Sequence, residues 1–215
     1  TNRWLSRAPR FRLPAEVIRD QALAAGGLLV RTLGGPSVRP YQPEGLWKEI
    51  ASDEYVQDHG SRLYRRSMYT FWKRTVPPPT MTTFDATSRE LCVMNRSQTN
   101  TPLQALALLN DTTYVEAARG LASRMMLESR GDVEHRLDWG FRVVLSRAAT
   151  APERTVLVAR YRQVLEHYRG HRKEAGMLVS IGESPVRQEL DTAELAAYTI
   201  LASLLLKLDE TVMRE

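Results

Sequence analysis

Beyond residue 100 the chain carries four helix starts fixed by side-chain chemistry: Thr101-Pro102, Asp132, Thr150-Ala151-Pro152-Glu153 and Asp191-Thr192. Each places a hydroxyl or carboxylate acceptor ahead of amides that a helix start leaves unpaired. Two of them add proline in the first turn, where its missing N–H costs nothing. Apolar residues follow at helical spacing. They are Leu103, Leu106, Ala107 and Leu109 or Asn110, then Tyr114, Val115, Ala118, Leu121, Ala122 and Met125. Next come Leu137, Phe141, Val144 and Leu145, and then Leu157, Tyr161, Val164 and Leu165. A short helix is expected over residues 173–179. The last helix, to about residue 209, carries Leu195, Tyr198, Ile200, Leu201, Leu204, Leu205 and Leu208 over much of its circumference, which places it in the middle of a bundle. The fold class that follows is all-α.

The first hundred residues read differently. Pro14 and Glu16 open a helix that Gly26-Gly27 closes. A turn at Gly34-Gly35-Pro36-Ser37, an extended stretch over 39–43 and a short helix over 44–51 presenting Leu46, Trp47 and Ile50 follow. Residues 64–111 then form the most distinctive run, with the only triple proline, the only cysteine and a dense set of Arg, Asn and Thr. Irregular backbone of that length is functional or disordered, and the aromatic content argues against disorder. The expected architecture is an irregular helical bundle with a long ordered non-helical segment, about 52–100, wrapped on it. Residues 1–100 make an irregular lobe and 101–215 a bundle. Together they form one domain or the C-terminal part of a larger one.

A formal net charge of +5 admits a polyanion partner, but the basic residues are spread along the chain among Asp and Glu, as on a solvated surface. One cysteine excludes an internal disulfide, a C-x-x-C-H haem attachment and a multi-Cys zinc site. No apolar run is long enough to span a bilayer. The chain opens on Thr1 and shows no signal peptide, so it reads as a piece of a longer protein.

Catalytic motifs are absent. His167 and His171 stand one turn apart, a metal-ligand spacing, yet without an H-E-x-x-H arrangement or a third ligand they read as a solvated helix end. Ser184 lacks a nucleophile elbow, and the Gly34-Gly35-Pro36 turn lacks the Lys-Ser/Thr of a phosphate loop. Cys92 reads as a small buried apolar residue rather than a reactive thiol. The candidate binding residues are Arg65, Arg66, Tyr69, Trp72, Asp85, Arg89, Glu90, Arg96 and Asn100, with Asp111 beside them. They make either a polar network that satisfies the irregular backbone or an anion or glycan site of stacking aromatics and arginine forks.

Several of these stretches resemble one family. Tyr64-Arg65-Arg66-Ser67, Tyr69-Thr70-Phe71-Trp72-Lys73-Arg74-Thr75, Pro77-Pro78-Pro79 and Phe84-Asp85-Ala86 are similar to its motifs. So are Ser88-Arg89-Glu90, Thr99-Asn100-Thr101-Pro102-Leu103-Gln104 and Ser180-Ile181-Gly182-Glu183-Ser184-Pro185. The family is the planctomycete-specific domain one, a domain of unknown function numbered fifteen fifty-three. Thr87 and Met94-Asn95 depart from it, where members often carry proline and a basic pair. The resemblance implies the C-terminal portion of a large secreted, periplasmic or cell-envelope protein. It also implies an upstream cytochrome c-like haem domain and, in some members, carbohydrate-binding-like modules. No cofactor is expected in this chain, and no catalytic residue carries over.

Three functions follow as expectations. The first is a non-catalytic interaction or scaffold module that docks on upstream domains of the same polypeptide. The second is an anionic-polysaccharide binding or processing domain built on Tyr69, Trp72 and the nearby Arg and Asp. The third, a nucleic-acid binder, has charge and aromatics but no recognised motif behind it.

Overall fold

A computed structural model of the chain describes residues 3–4, 10–50 and 54–214, apart from the side chains of 49, 50 and 214. Most of the basic entry segment, the Ile50 side chain, Ala51 and Glu215 therefore lie outside the described residues. In chain order the elements are β1 (Phe11–Arg12), α1 (Ala15–Ala25), α2 (Leu46–Ile50), α3 (Pro79–Thr83), α4 (Pro102–Asn110), α5 (Thr112–Glu128) and α6 (Val133–Leu145). Then follow α7 (Ala151–Gly170), α8 (Arg172–Val179), α9 (Thr192–Leu206), α10 (Asp209–Val212) and β2 (Met213–Arg214). The fold is all-α apart from β1 and β2, an antiparallel pair that sets Phe11 opposite Arg214 and Arg12 opposite Met213.

The capping residues do what their chemistry predicts. Asp111 accepts from the Thr113 amide at 2.8 Å, Asp132 from Glu134 at 3.0 Å and Asp191 from Glu194 at 2.9 Å. Thr150 and Glu153 close a capping box, and Gln104 reaches back to the Thr101 amide at 3.3 Å. The apolar α9 is the axis of the bundle, packed against α4, α5, α6, α7, α8 and α10. Ala193, Ala196, Ala197 and Ala202 let neighbours approach between its leucines. It stops at Leu206, short of the expected end. Leu208 turns extended, and the Thr211 hydroxyl donates to the Leu205 carbonyl at 2.7 Å, closing a helix end that would otherwise be unpaired.

On the other side of α5 lies α1. The two cross where Gly26 meets Gly120, close enough that a Cβ on Gly120 would stand 2.4 Å from the Gly26 carbonyl oxygen. Residues from both sides of position 100 share one hydrophobic core.

The segment expected to be non-helical contains two 3-10 turns, Gly60–Tyr64 and Ser67–Tyr69, as well as α3. The triple proline starts α3, with Pro78 as its cap and Pro79 at its first position. The first part of the segment is pinned by α1. Arg19, buried, donates to the Leu63 and Arg65 carbonyls at 2.6 and 3.0 Å and to the Ser67 hydroxyl at 3.1 Å. Residues 88–100 are different again: each of them is exposed. Cys92 sits there and is exposed, not buried as expected. A small apolar side chain is covered only where an element packs over it, and none packs over this stretch.

Candidate functional site

The nine candidate residues are dispersed along the segment rather than gathered at one place. Arg65 is buried and donates to the Pro36 and Thr32 carbonyls at 2.8 and 3.3 Å and to that of Gly34. Its guanidinium lies over the Tyr69 ring at 3.9 Å, and the Tyr69 hydroxyl accepts from the Gly34 amide at 2.7 Å. Together they hold the 32–36 turn. Arg66 is half-exposed, with Nε 3.6 Å from Asp20. The Trp72 indole donates to the Ser88 carbonyl at 3.1 Å and carries the Arg89 guanidinium over its ring at 4.6 Å. Asp85, at a left-handed φ of 59°, ties down Thr99 through its amide (2.8 Å) and its hydroxyl, and meets Arg12. Burial alone would push the Asp85 carboxyl up; the bonds from Thr99 and Arg12 outweigh it and hold the carboxyl below its usual range. Arg96 pairs with Glu16 at 2.7 Å, while Glu90 and Asn100 face solvent. Asp111 accepts from Thr80 at 2.5 Å besides capping α5.

A denser polar cluster lies where sequence reasoning did not look. Glu116, in the middle of α5, is 0% exposed. Its Oε1 accepts from the Tyr64 hydroxyl at 2.9 Å and the Ser184 amide at 2.6 Å, and Arg119 stands 3.5 Å away. Arg119 in turn donates to the Ser184 carbonyl and hydroxyl at 2.8 and 2.7 Å. Glu183, next in the same loop, reaches His59 at 2.7 Å and the Gly60 amide at 3.2 Å, so 181–184 clamps the 57–64 stretch onto α5. The Tyr41 hydroxyl accepts from the Glu183 amide at 2.9 Å; burial, with Glu116 nearby, pushes it up to about 12. The i,i+3 spacing of Glu116 and Arg119 was the available signal. It was lost because α5 is buried on nearly every side there, so its polar residues stand on no distinct face.

The third feature is α4, which is built inside out. Its buried residues are Gln104 and Leu108. Leu103, Leu106 and Leu109, expected to face the core, are 59%, 53% and 36% exposed. Gln104 is turned inward by its partners: the Arg12 guanidinium donates to it at 2.5 Å, and its amide donates to the Thr83 carbonyl at 2.9 Å and the Thr99 hydroxyl at 3.1 Å. The helix has no charged residue, and its outer arc is Pro102, Leu103, Ala105, Leu106, Leu109 and Asn110. Nearby in sequence, Leu91 and Met94 are 79% and 97% exposed. The His167 and His171 rings stack at 4.3 Å on the exposed end of α7, with Glu174 3.1 Å from His167.

The model of the family described as PSD1, protein of unknown function (DUF1553), matches residues 1–161. The chain belongs to the PSD1 family. No curated protein and no solved structure matches it. In this PSD1 chain the match runs from the entry segment into α7 and so includes α4, the 52–100 segment and Glu116. Among the described residues, no group of three or more His, Cys, Asp or Glu could hold a metal ion, and no helix is long and apolar enough to cross a membrane. What the PSD1 geometry offers chemically is a set of arginines and carboxylates bonded within the fold, and one uncharged apolar face left open.

Proposed function

We propose that this domain is a non-catalytic interaction module: the C-terminal part of a secreted or envelope multidomain protein with a cytochrome c-like haem domain upstream. The location and the haem domain follow from the family resemblance set out above. The observation that supports docking is the inverted α4. Three leucines on a charge-free helix face water, and a partner surface would recover their burial.

The size of the face points to a partner on the same polypeptide. Its three part-exposed leucines offer far less apolar surface than the ~800 Å² per partner of a free-standing interface. A tethered domain, held at an effective concentration of about a millimolar, needs less area. Carbene footprinting of the full-length gene product tests this. Leu103 and Leu109 should label weakly in the wild type and several-fold more in a Leu106→Glu variant. Heavy labelling of both in the wild type would end the reading.

Anionic-glycan binding is the second reading. It draws on Arg66, half-exposed at the edge of a groove of about 810 Å³ that also holds Gln21. Asp20, Asp209 and Glu210 line the same groove and oppose a polyanion. Calorimetry with sulfated oligosaccharides decides it: heat that Arg66→Ala removes is expected, and no heat in the wild type dismisses the idea.

A further inference from the structure

Beside the exposed face of α4, between that helix and the α10–β2 turn, lies a recess of about 240 Å³. Gln104, Ala105 and Leu108 line it from α4, Val212 and Met213 from the α10–β2 turn, with Arg12 and Phe84 beside them. Asn100, one of the candidate residues, stands at the recess with Lys207, and neither side chain has a partner among the described residues. The volume falls short of the ~300–1,000 Å³ of a small-molecule site, yet gives room for one large side chain. Its chemistry is mixed: Phe84, Ala105, Leu108, Val212 and Met213 give apolar walls, and Arg12, Gln104, Asn100, Lys207 and Asp209 give polar ones. Tyrosine and tryptophan match that pattern, with a ring to bury and a polar tip to bond, and they are the residues that anchor protein interfaces from pockets of this kind.

We infer that the partner docking on α4 inserts a tyrosine or tryptophan side chain into the recess between α4 and the α10–β2 turn, with an acidic neighbour paired to Lys207. This rests on the docking reading above and names the chemistry of its partner. Charge complementarity selects the acidic neighbour: among the described residues Lys207 forms no ion pair, whereas Asp209, which lines the same recess, is paired with Arg10. The anchor also explains how a small face can be specific. An uncharged leucine stripe accepts any apolar surface, and a single filled pocket fixes register.

The test has two arms. In the first, N-acetyl-tyrosinamide is titrated into the 215-residue chain and followed by methyl NMR. Saturable shifts are expected at Leu108, Val212 and Met213, roughly fivefold tighter than for N-acetyl-leucinamide. Ala105→Phe, which fills the recess from an exposed helix position, should abolish them. In the second arm, carbene footprinting of the full-length product carries Ala105→Phe or Lys207→Glu, and several-fold higher labelling of Leu103 and Leu109 is expected. If the methyls do not shift, or leucinamide binds equally, the anchor is wrong. If Leu106→Glu uncovers the face while Ala105→Phe and Lys207→Glu leave it protected, docking stands and the anchor falls. If the face labels fully in the wild type, docking fails and takes the anchor with it.

Discussion

Gly182 shows how one residue can hold two distant stretches of chain together. Its φ is +88°, and a Cβ there would stand 2.3 Å from the Glu116 carboxyl carbon. Strain and collision act in the same direction, and Glu116, 0% exposed, has nowhere to retreat. Gly182→Ala should therefore lower the unfolding free energy by about 3 kcal/mol in urea titration. A loss below about 1 kcal/mol would mean that the 181–184 loop shifts freely. Glu116→Ala should cost about 3–5 kcal/mol, because it leaves Arg119 buried without its carboxylate and the Tyr64 hydroxyl without an acceptor. Glu116→Gln keeps an acceptor and should cost less than half as much. These residues stood in plain view in the sequence, but nothing local marks a glutamate that a loop some 65 residues later will cover.

At the scale of elements, the contrast between α4 and α5 shows where periodicity misleads. Both start at a capping residue; the start of α4 was legible from Thr101-Pro102, whereas the Asp111 cap of α5 was not read as one. Which face of α4 is buried was not legible. Its leucines spell a core stripe, and the structure overrides that stripe because Arg12 and the Thr83 carbonyl need Gln104 inside. Gln104→Leu, which by hydrophobicity ought to improve a buried position, should instead destabilise the fold by about 2 kcal/mol, since Arg12 loses an acceptor while buried. Leu106→Glu should leave stability within about 0.5 kcal/mol of wild type, which separates its effect on docking from unfolding. The α1–α5 crossing makes a third case. Gly120→Ala gains about 1 kcal/mol of helix propensity but drives a methyl into backbone; the collision wins, and a fall in Tm of about 2–4 °C is expected by calorimetry.

Over the whole molecule, chain ends and helix connections are stitched by a few charged contacts. Arg147, in the turn after α6, pairs with Glu153 of α7 and Glu210 of α10, each at 2.7 Å. Hydrogen bonds from Arg147 first, and from Thr150 with it, hold Glu153 down at about 2 against an ordinary 4.5. A carboxylate lowered in the folded state stabilises fully above the unfolded value and stops doing so as pH falls through the folded one. Stability should thus decline between pH 4.5 and about 2, and Arg147→Gln should flatten that decline in thermal melts across the range. The effect is modest, because both carboxylates are partly solvated.

By itself the sequence determined the all-α class, the starts of α1, α4, α6, α7 and α9, the central place of α9 and the family. The class, the starts and the place of α9 rest on chemistry within one turn or one heptad (a cap, a proline, an apolar circumference), and the family on longer motifs. Tertiary structure alone decided that Arg19 and Arg12 carry the irregular segment, that Glu116 is the centre of a clamp, that the first and last described strands pair, and that α4 turns its leucines outward. Those outcomes depend on which polar group meets which across 50 to 200 residues of chain. A buried glutamine is favoured over a leucine only when an arginine is already waiting for it, and spacing along a helix holds no record of that arginine.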